Sequence, residues 1–183
     1  DRISDAAITD MRNNLDLTDE DFDLAKALEK KKRHDVMAHS EAFEVAAPAA
    51  KGITHLAATS EDIGSNTDLL LMREGLDLLL QKLANVIDGL ATFADAHKKL
   101  ATLGYTHLQT AQPTTVGKRA AMWLQDLVLC MEELEQKRAS LRRLKGLKGA
   151  TGTQAAMLEL FDGDAEKVME VERRFLEKIG GEG

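Results

Sequence analysis

Aromatic residues are scarce in this 183-residue chain: Phe, Trp and Tyr make up 4% of it, with one Trp and one Tyr. Sheet-rich folds draw heavily on aromatic and β-branched residues, so the shortage argues against a β-sandwich. Proline is rarer still, at Pro48 and Pro113 alone, and so few breaks favour long helices. Cys130 is the one cysteine. It excludes an intramolecular disulfide and a cysteine-built metal framework, and it fits a reducing compartment such as the cytoplasm. Apolar runs such as Leu69-Leu70-Leu71-Met72 fall far short of the roughly 20 residues of a membrane span. The N-terminus carries no signal-peptide pattern. Basic residues are in deficit too: 24 Lys and Arg face 31 Asp and Glu, a net charge of −7. That balance argues against a general nucleic-acid or membrane-surface binder. Opening on Asp1 instead of Met, the chain reads as a piece of a longer protein.

What is present points to helices. The chain is 44% apolar and 30% charged, within the range of globular domains. Thr18 is followed three residues later by Asp21, capping-box spacing for a helix over 22–32. A second short helix is expected over 33–47, stopped by Pro48, and then a polar loop over 52–66. Beyond it, Leu69, Leu76, Leu83 and Leu90 recur every seven residues, and Met72, Leu79, Val86 and Phe93 form a second such series. This is the pattern of a long bundle or coiled-coil helix, with Ser65 and Asp68 as its expected cap. A loop over 101–113 precedes a second heptad run. One series there holds Val116, Trp123 and Cys130, and the other holds Ala120, Leu127, Leu134 and Leu141. Trp123 and Cys130 are therefore expected in the core. A glycine-bearing loop over 145–153, a short helix over 154–161 and a last helix with Val168, Val171, Phe175 and Ile179 on one face complete the chain. No segment alternates for long with period two, so the fold class is all-α. Residues 1–65 form an N-terminal helical region and 66–183 part of a helical bundle. Helices of about 30 residues are about 45 Å long. The 52–66 and 145–153 loops then lie at one end of an up-down bundle and 101–113 at the other. A second, antiparallel subunit would be needed to join all three in one site.

Four polar clusters resist explanation by packing. Arg33-His-Asp-Val-Met-Ala-His39 puts His34 beside Asp35, a pairing suited to proton transfer or anion binding near neutral pH, though a surface helix with two histidines reads the same way. Its i, i+5 histidine spacing does not suit zinc, and no metal site is expected. His55-Leu-Ala-Ala-Thr59-Ser60 leads into Asn66-Thr-Asp68; hydroxyls and free N–H groups at a helix start form a carboxylate or phosphate site, or simply a cap. Gly104 to Arg119 carries His107, Gln109, Gln112, Lys118 and Arg119, dense polarity for a mere connection. Lys148-Gly-Ala-Thr-Gly-Thr-Gln154 is a candidate anion-binding turn without the Gly-Lys-Ser/Thr ending of a P-loop.

In this order, the four motifs resemble the adenylosuccinate lyases of the fumarase/aspartase superfamily, nearest to the form found in animals and related organisms. The resemblance runs from about residue 2 to 178. Its most specific pieces are Arg33–His39, Leu103-Gly-Tyr-Thr-His107, Thr114-Thr-Val-Gly-Lys-Arg119 and Lys148–Gln154. It implies a β-elimination that releases fumarate from adenylosuccinate to give AMP, and from succinylated aminoimidazole carboxamide ribotide, in purine biosynthesis. It implies a cytoplasmic homotetramer acting on a small nucleotide, with no metal or organic cofactor and no nucleic-acid or membrane partner. By resemblance His107 is the general acid. His34 and Asp35 line the substrate site, and Thr59 and Ser60 bind the succinyl carboxylates with His55 upstream of them. Gln154 contacts substrate; Lys118 and Arg119 match the motif but equally suit salt bridges on the helix.

The departures are specific. Ala57 stands where the family usually has glycine, and Glu61-Asp62 places negative charge beside a site for dicarboxylates. The ending Ile179-Gly-Gly-Glu-Gly183 is unlike the family's continuation. No segment matches the Ser-Ser…Met-Pro…Lys…Asn loop that supplies the catalytic base, so these 183 residues alone are expected not to turn over substrate. The competing readings are another lyase of the superfamily and a non-catalytic helical oligomerisation module.

Overall fold

The computed structural model describes residues 3–181. Asp1 and Arg2, and Glu182 and Gly183 of the divergent tail, lie outside the described residues. The helices are α1 (Asp5–Asn13), α2 (Asp19–Lys32), α3 (Asp35–Ala46), α4 (Ser60–Ala96), α5 (Val116–Ser140), α6 (Ala155–Leu160) and α7 (Ala165–Lys178), with a 3-10 turn at Pro48–Ala50. The helical fold class holds, with one addition. Where a loop was expected over 101–113, strands β1 (Ala101–Thr106) and β2 (Gln109–Thr115) form an antiparallel hairpin. Its Thr- and Gln-rich strands bury little on either face, so no apolar alternation announces them.

Two compact units are present, one of residues 1–68 with 144–183 and the other of 69–143. In the first, Thr18 caps α2 through a reciprocal capping box with Asp21. Arg33 then turns left-handed at φ 58°, and His34 caps α3. The expected helix over 33–47 therefore begins two residues later, and the resulting tight corner folds α3 back along α2. Alanines make that approach close: Ala25, Ala38 and Ala42 are all buried. Asp10 Oδ2 accepts the Ala49 N–H at 2.8 Å and fixes α1 on the 3-10 turn. On α7, Val168, Glu172 and Leu176 are buried, with Val171, Phe175 and Ile179 half-buried beside them.

The second unit holds most of α4, the hairpin and α5. Asp77 and Arg138 join α4 to α5 through two charge-assisted hydrogen bonds of 2.7 and 2.9 Å. Facing them from the other end, the Gly117 N–H donates to His97 O at 3.0 Å. The two helices therefore run antiparallel. A Cβ at Gly117 would lie 2.3 Å from Ala94 O and 2.6 Å from Lys98 Cα, so only glycine permits this approach.

The heptad expectation is half met. Leu69, Leu76, Leu83 and Leu90 are half-buried. Met72, Leu79, Val86 and Phe93 are 43–57% exposed. On α5, Ala120 is buried and Leu127 and Leu134 are half-buried. Trp123 is 57% exposed and Cys130 is also exposed, against the expectation that both are core. A sevenfold period marks apolar faces, and one neighbouring helix covers only one of them. No helix among the described residues is long and apolar enough to cross a membrane.

Candidate functional site

His34 sits at the α2–α3 corner. Its Nδ1 accepts the Met37 N–H at 3.4 Å and lies 3.4 Å from Asp35 Oδ1; a ring that accepts at Nδ1 carries its proton on Nε2. His34 and Asp35, with Arg33, Ser60, Glu61 and Asp68, line a cleft of about 530 Å³. The structure thus brings three expected site residues, His34, Asp35 and Ser60, to one place. Carboxylates outnumber cations there, with Glu29, Asp35, Glu61 and Asp68 against Arg33.

The start of α4 differs from expectation. The helix begins at Ser60, not after Asn66, so Ser65 is no cap; inside the helix its hydroxyl donates to Glu61 Oε2 at 2.7 Å. Ala57, just upstream, has φ 55°. A residue with a Cβ pays roughly 1–2 kcal/mol for that conformation. The His55 Nδ1 is buried without a hydrogen-bond partner. Thr59 donates its N–H to Asp62 Oδ2 at 3.1 Å.

Asn66, expected at a helix start facing ligand, is buried and occupied. Its Nδ2 donates to Asp62 O at 2.6 Å and Gly146 O at 3.0 Å, and its Oδ1 accepts the Gly146 N–H at 3.0 Å. Asp62, singled out only as an awkward charge, is 1% exposed. Its Oδ1 accepts the Lys148 N–H at 3.0 Å, the Gly149 N–H at 3.2 Å and Lys145 Nζ at 3.3 Å. Oδ2 accepts Gly149 again at 3.1 Å as well as Thr59. Burial raises the Asp62 pKa, but these N–H donors and the Lys145 ammonium outweigh it and hold the carboxyl below its ordinary value. The signal was present: Thr59-x-x-Asp62 has the same spacing as Thr18-x-x-Asp21.

The loop after α5 is therefore fastened to the α4 start. Gly146 turns left-handed at φ 74°, and a Cβ there would press on the carboxylate end of the buried Glu172 side chain. Glu172 pairs with Lys148 Nζ and accepts Gln154 Nε2 at 2.9 Å. Gln154 also donates Nε2 to Leu147 O at 2.8 Å and its own N–H to Lys148 O at 3.0 Å. Its side-chain N–H groups are thus turned onto the loop and onto Glu172 of α7.

In the second unit, His107 occupies the tip of the β1–β2 hairpin. His107 and Leu108 have φ 51° and 62°, as a two-residue type I′ turn requires. Leucine disfavours that region at a cost of roughly 1–2 kcal/mol, whereas histidine enters it more readily than most side chains. The His107 side chain is exposed and Leu108 fully so, at 102%. Arg119 Nη2 donates to Leu103 O at 3.0 Å, tying α5 to the hairpin, while the Lys118 N–H donates to the Thr115 cap. Arg119 thus has a structural partner, and the Lys118 side chain is exposed.

A family model described as Lyase matches residues 2–174. Adenylosuccinate lyase from Schistosoma mansoni is 47% identical over 178 residues, 97% of this chain and 37% of that protein. The Saccharomyces cerevisiae adenylosuccinate lyase is 45% identical over the same share of each. The chain therefore spans little more than a third of the length of these relatives. Among solved structures, a fumarate lyase from Mesorhizobium sp. BNC1 superposes with TM-score 0.78 at 23% identity, over 97% of this chain and 40% of that one. A 3-carboxy-cis,cis-muconate lactonizing enzyme from Pseudomonas putida gives TM-score 0.73 at 26% identity, over 96% of this chain and 40% of its own.

Proposed function

The chain belongs to the lyase family whose model matches residues 2–174, and from that premise we propose that it forms the substrate-binding and general-acid portion of an adenylosuccinate lyase. The reaction is a β-elimination. A base removes the Cβ proton of the succinyl group, negative charge builds on the neighbouring carboxylate, and an acid protonates the leaving nitrogen as fumarate departs. Transition-state charge of this kind needs donors fixed in advance and an acid whose pKa lies near the working pH.

The observation that carries the reading is the presentation of His107. Two left-handed residues at the hairpin tip hold an exposed imidazole clear of the strands. Left-handed non-glycine residues cluster at functional sites as well as in tight hairpin turns. In this reading His107 donates the proton to the leaving nitrogen, and Thr59 and Ser60 at the α4 start hold the succinyl carboxylates with His55 behind them. His34, through Nε2–H, and Asp35 orient the nucleotide. Gln154 contacts substrate after rotating off the loop, and the Lys118 side chain contributes charge.

The acidic cleft around Ser60 repels a dicarboxylate, so cations from another copy complete it. The exposed Met72, Leu79, Val86 and Phe93 stripe on α4 supplies an apolar face for that association. We propose a homotetramer in the cytoplasm, and a base supplied from outside these 183 residues.

Titration of the isotope-labelled chain with adenylosuccinate, followed by NMR, tests the assignment. Shifts at Thr59, Ser60, His34 and His107 are expected, and their absence up to millimolar ligand would remove it. A fumarate-release assay on the same material is expected to show no turnover; robust release would place the base within these residues.

A further inference from the structure

We propose that Asp62 is a positioning residue of this site: its carboxylate holds the 145–154 loop on the start of α4, so that the Thr59–Ser60 pair and the loop carrying Gln154 keep one fixed arrangement. The assignment rests on the reading above that those three residues meet the substrate.

A helix cap alone would need one oxygen for one N–H. Asp62 does more. Oδ2 accepts from Thr59 and from Gly149 at 3.1 Å each, so those two backbone nitrogens lie within about 6 Å of one another. Oδ1 is given entirely to the loop, accepting from Lys148, Gly149 and Lys145. From Lys148 the connection continues to Gln154, whose N–H donates to Lys148 O and whose side chain meets Glu172, the partner of Lys148 Nζ. Asp62 thus links the hydroxyl pair to the glutamine through one buried carboxylate and one short loop.

The charge matters as much as the shape. A carboxylate accepts at both oxygens, whereas an asparagine in its place would turn an NH₂ group toward N–H donors. Lys145 balances the buried charge, and burial keeps Asp62 from facing the ligand. Glu61 differs: it is exposed and lines the cleft. Asn66, gripping Gly146 independently, keeps the loop attached when Asp62 is altered.

The experiment compares adenylosuccinate binding by wild type, Asp62→Asn and Glu61→Gln, with Lys148 and Gly149 amide exchange and the Gln154 side-chain NH₂ resonances read in the same samples. For Asp62→Asn, faster exchange at Lys148 and Gly149, displaced Gln154 resonances and a roughly tenfold rise in Kd are expected. Glu61→Gln removes a repulsive charge while its amide oxygen can still accept the Ser65 hydroxyl, and it is expected to bind more tightly. Equal or tighter binding by Asp62→Asn would make Asp62 one more repulsive charge and overturn the assignment. If Asp62→Asn does not fold, Gly149→Ala is measured instead. It strains the same junction at φ 74°, with its Cβ only in ordinary contact at 3.9 Å from Gln154 Cα; unchanged binding there would overturn the assignment equally. Absence of wild-type binding at Thr59, Ser60 and Gln154 would sink the functional reading, and the positioning role with it.

Discussion

Gly117 belongs to the Thr-Thr-Val-Gly-Lys-Arg motif, where a glycine beside two basic residues invites an anion-binding interpretation. The structure gives it a packing role that a single substitution can weigh. In Gly117→Ala the new methyl would meet Ala94 O at 2.3 Å and the Lys98 backbone at 2.6 and 2.7 Å. Comfortable contacts between carbon atoms begin near 3.5 Å, so the start of α5 must retreat by about 1 Å. That retreat stretches the Gly117 N–H to His97 O bond of 3.0 Å and the Val116 N–H to Leu100 O bond of 2.9 Å. Overpacking costs about 2 kcal/mol and one weakened hydrogen bond about 1 kcal/mol. Alanine's helix preference returns at most about 1 kcal/mol near a helix terminus. The net expectation is a loss of about 2 kcal/mol, or a urea midpoint lower by about 1 M at a typical slope. Gly89→Ala is the internal control, because its Cβ would meet nothing within 4 Å; there propensity acts alone and should stabilise by up to about 1 kcal/mol. Far-UV circular dichroism under urea reads both variants. If Gly117→Ala matches or exceeds the Gly89→Ala gain, α5 is not seated against the end of α4 and the packing explanation is wrong.

Ala57→Gly should stabilise the chain by about 0.5–1 kcal/mol, because φ 55° penalises a Cβ more than glycine's added backbone entropy costs; a lower melting temperature would show that the Ala57 methyl packs usefully. Acid should loosen the 145–149 loop through Asp62. Its folded pKa lies below the ordinary 3.8, so its stabilising contribution is complete above that value and is lost as pH falls through the lower folded value. Urea titrations from pH 6 to pH 2 should therefore give a steeper fall for wild type than for Asp62→Asn, and parallel curves would deny the carboxylate this role.

Periodicity and spacing in the sequence identify helices well here, and partners poorly. The sevenfold leucines mark α4 correctly, yet Met72, Leu79, Val86 and Phe93 have the same period and remain exposed. A heptad pattern states that a face is apolar, and a neighbour supplied by this chain or another decides its burial. The same reasoning explains Trp123 and Cys130. Helix starts are harder, because Thr59 and Ser60 resemble loop residues until the Thr59–Asp62 contact is seen. The hairpin escapes notice because its turn residues are His107 and Leu108 in place of the usual Asn-Gly pair.

The site residues separate along the same line. Residue types forecast chemistry, but not whether a polar group is already engaged. Gln154 and Arg119 carry the donors expected of ligand contacts; Gln154 gives Nε2 to Leu147 O and Glu172, and Arg119 gives Nη2 to Leu103 O. His34 gives Nδ1 to a helix cap and keeps Nε2–H for another partner. His107 has an exposed imidazole on a left-handed backbone that the two-residue β1–β2 turn itself requires. Groups that satisfy one another can be explained by folding alone. The turn accounts for the His107 backbone but not for an imidazole at its tip, and the ligand titration decides whether the proposed general acid lies there.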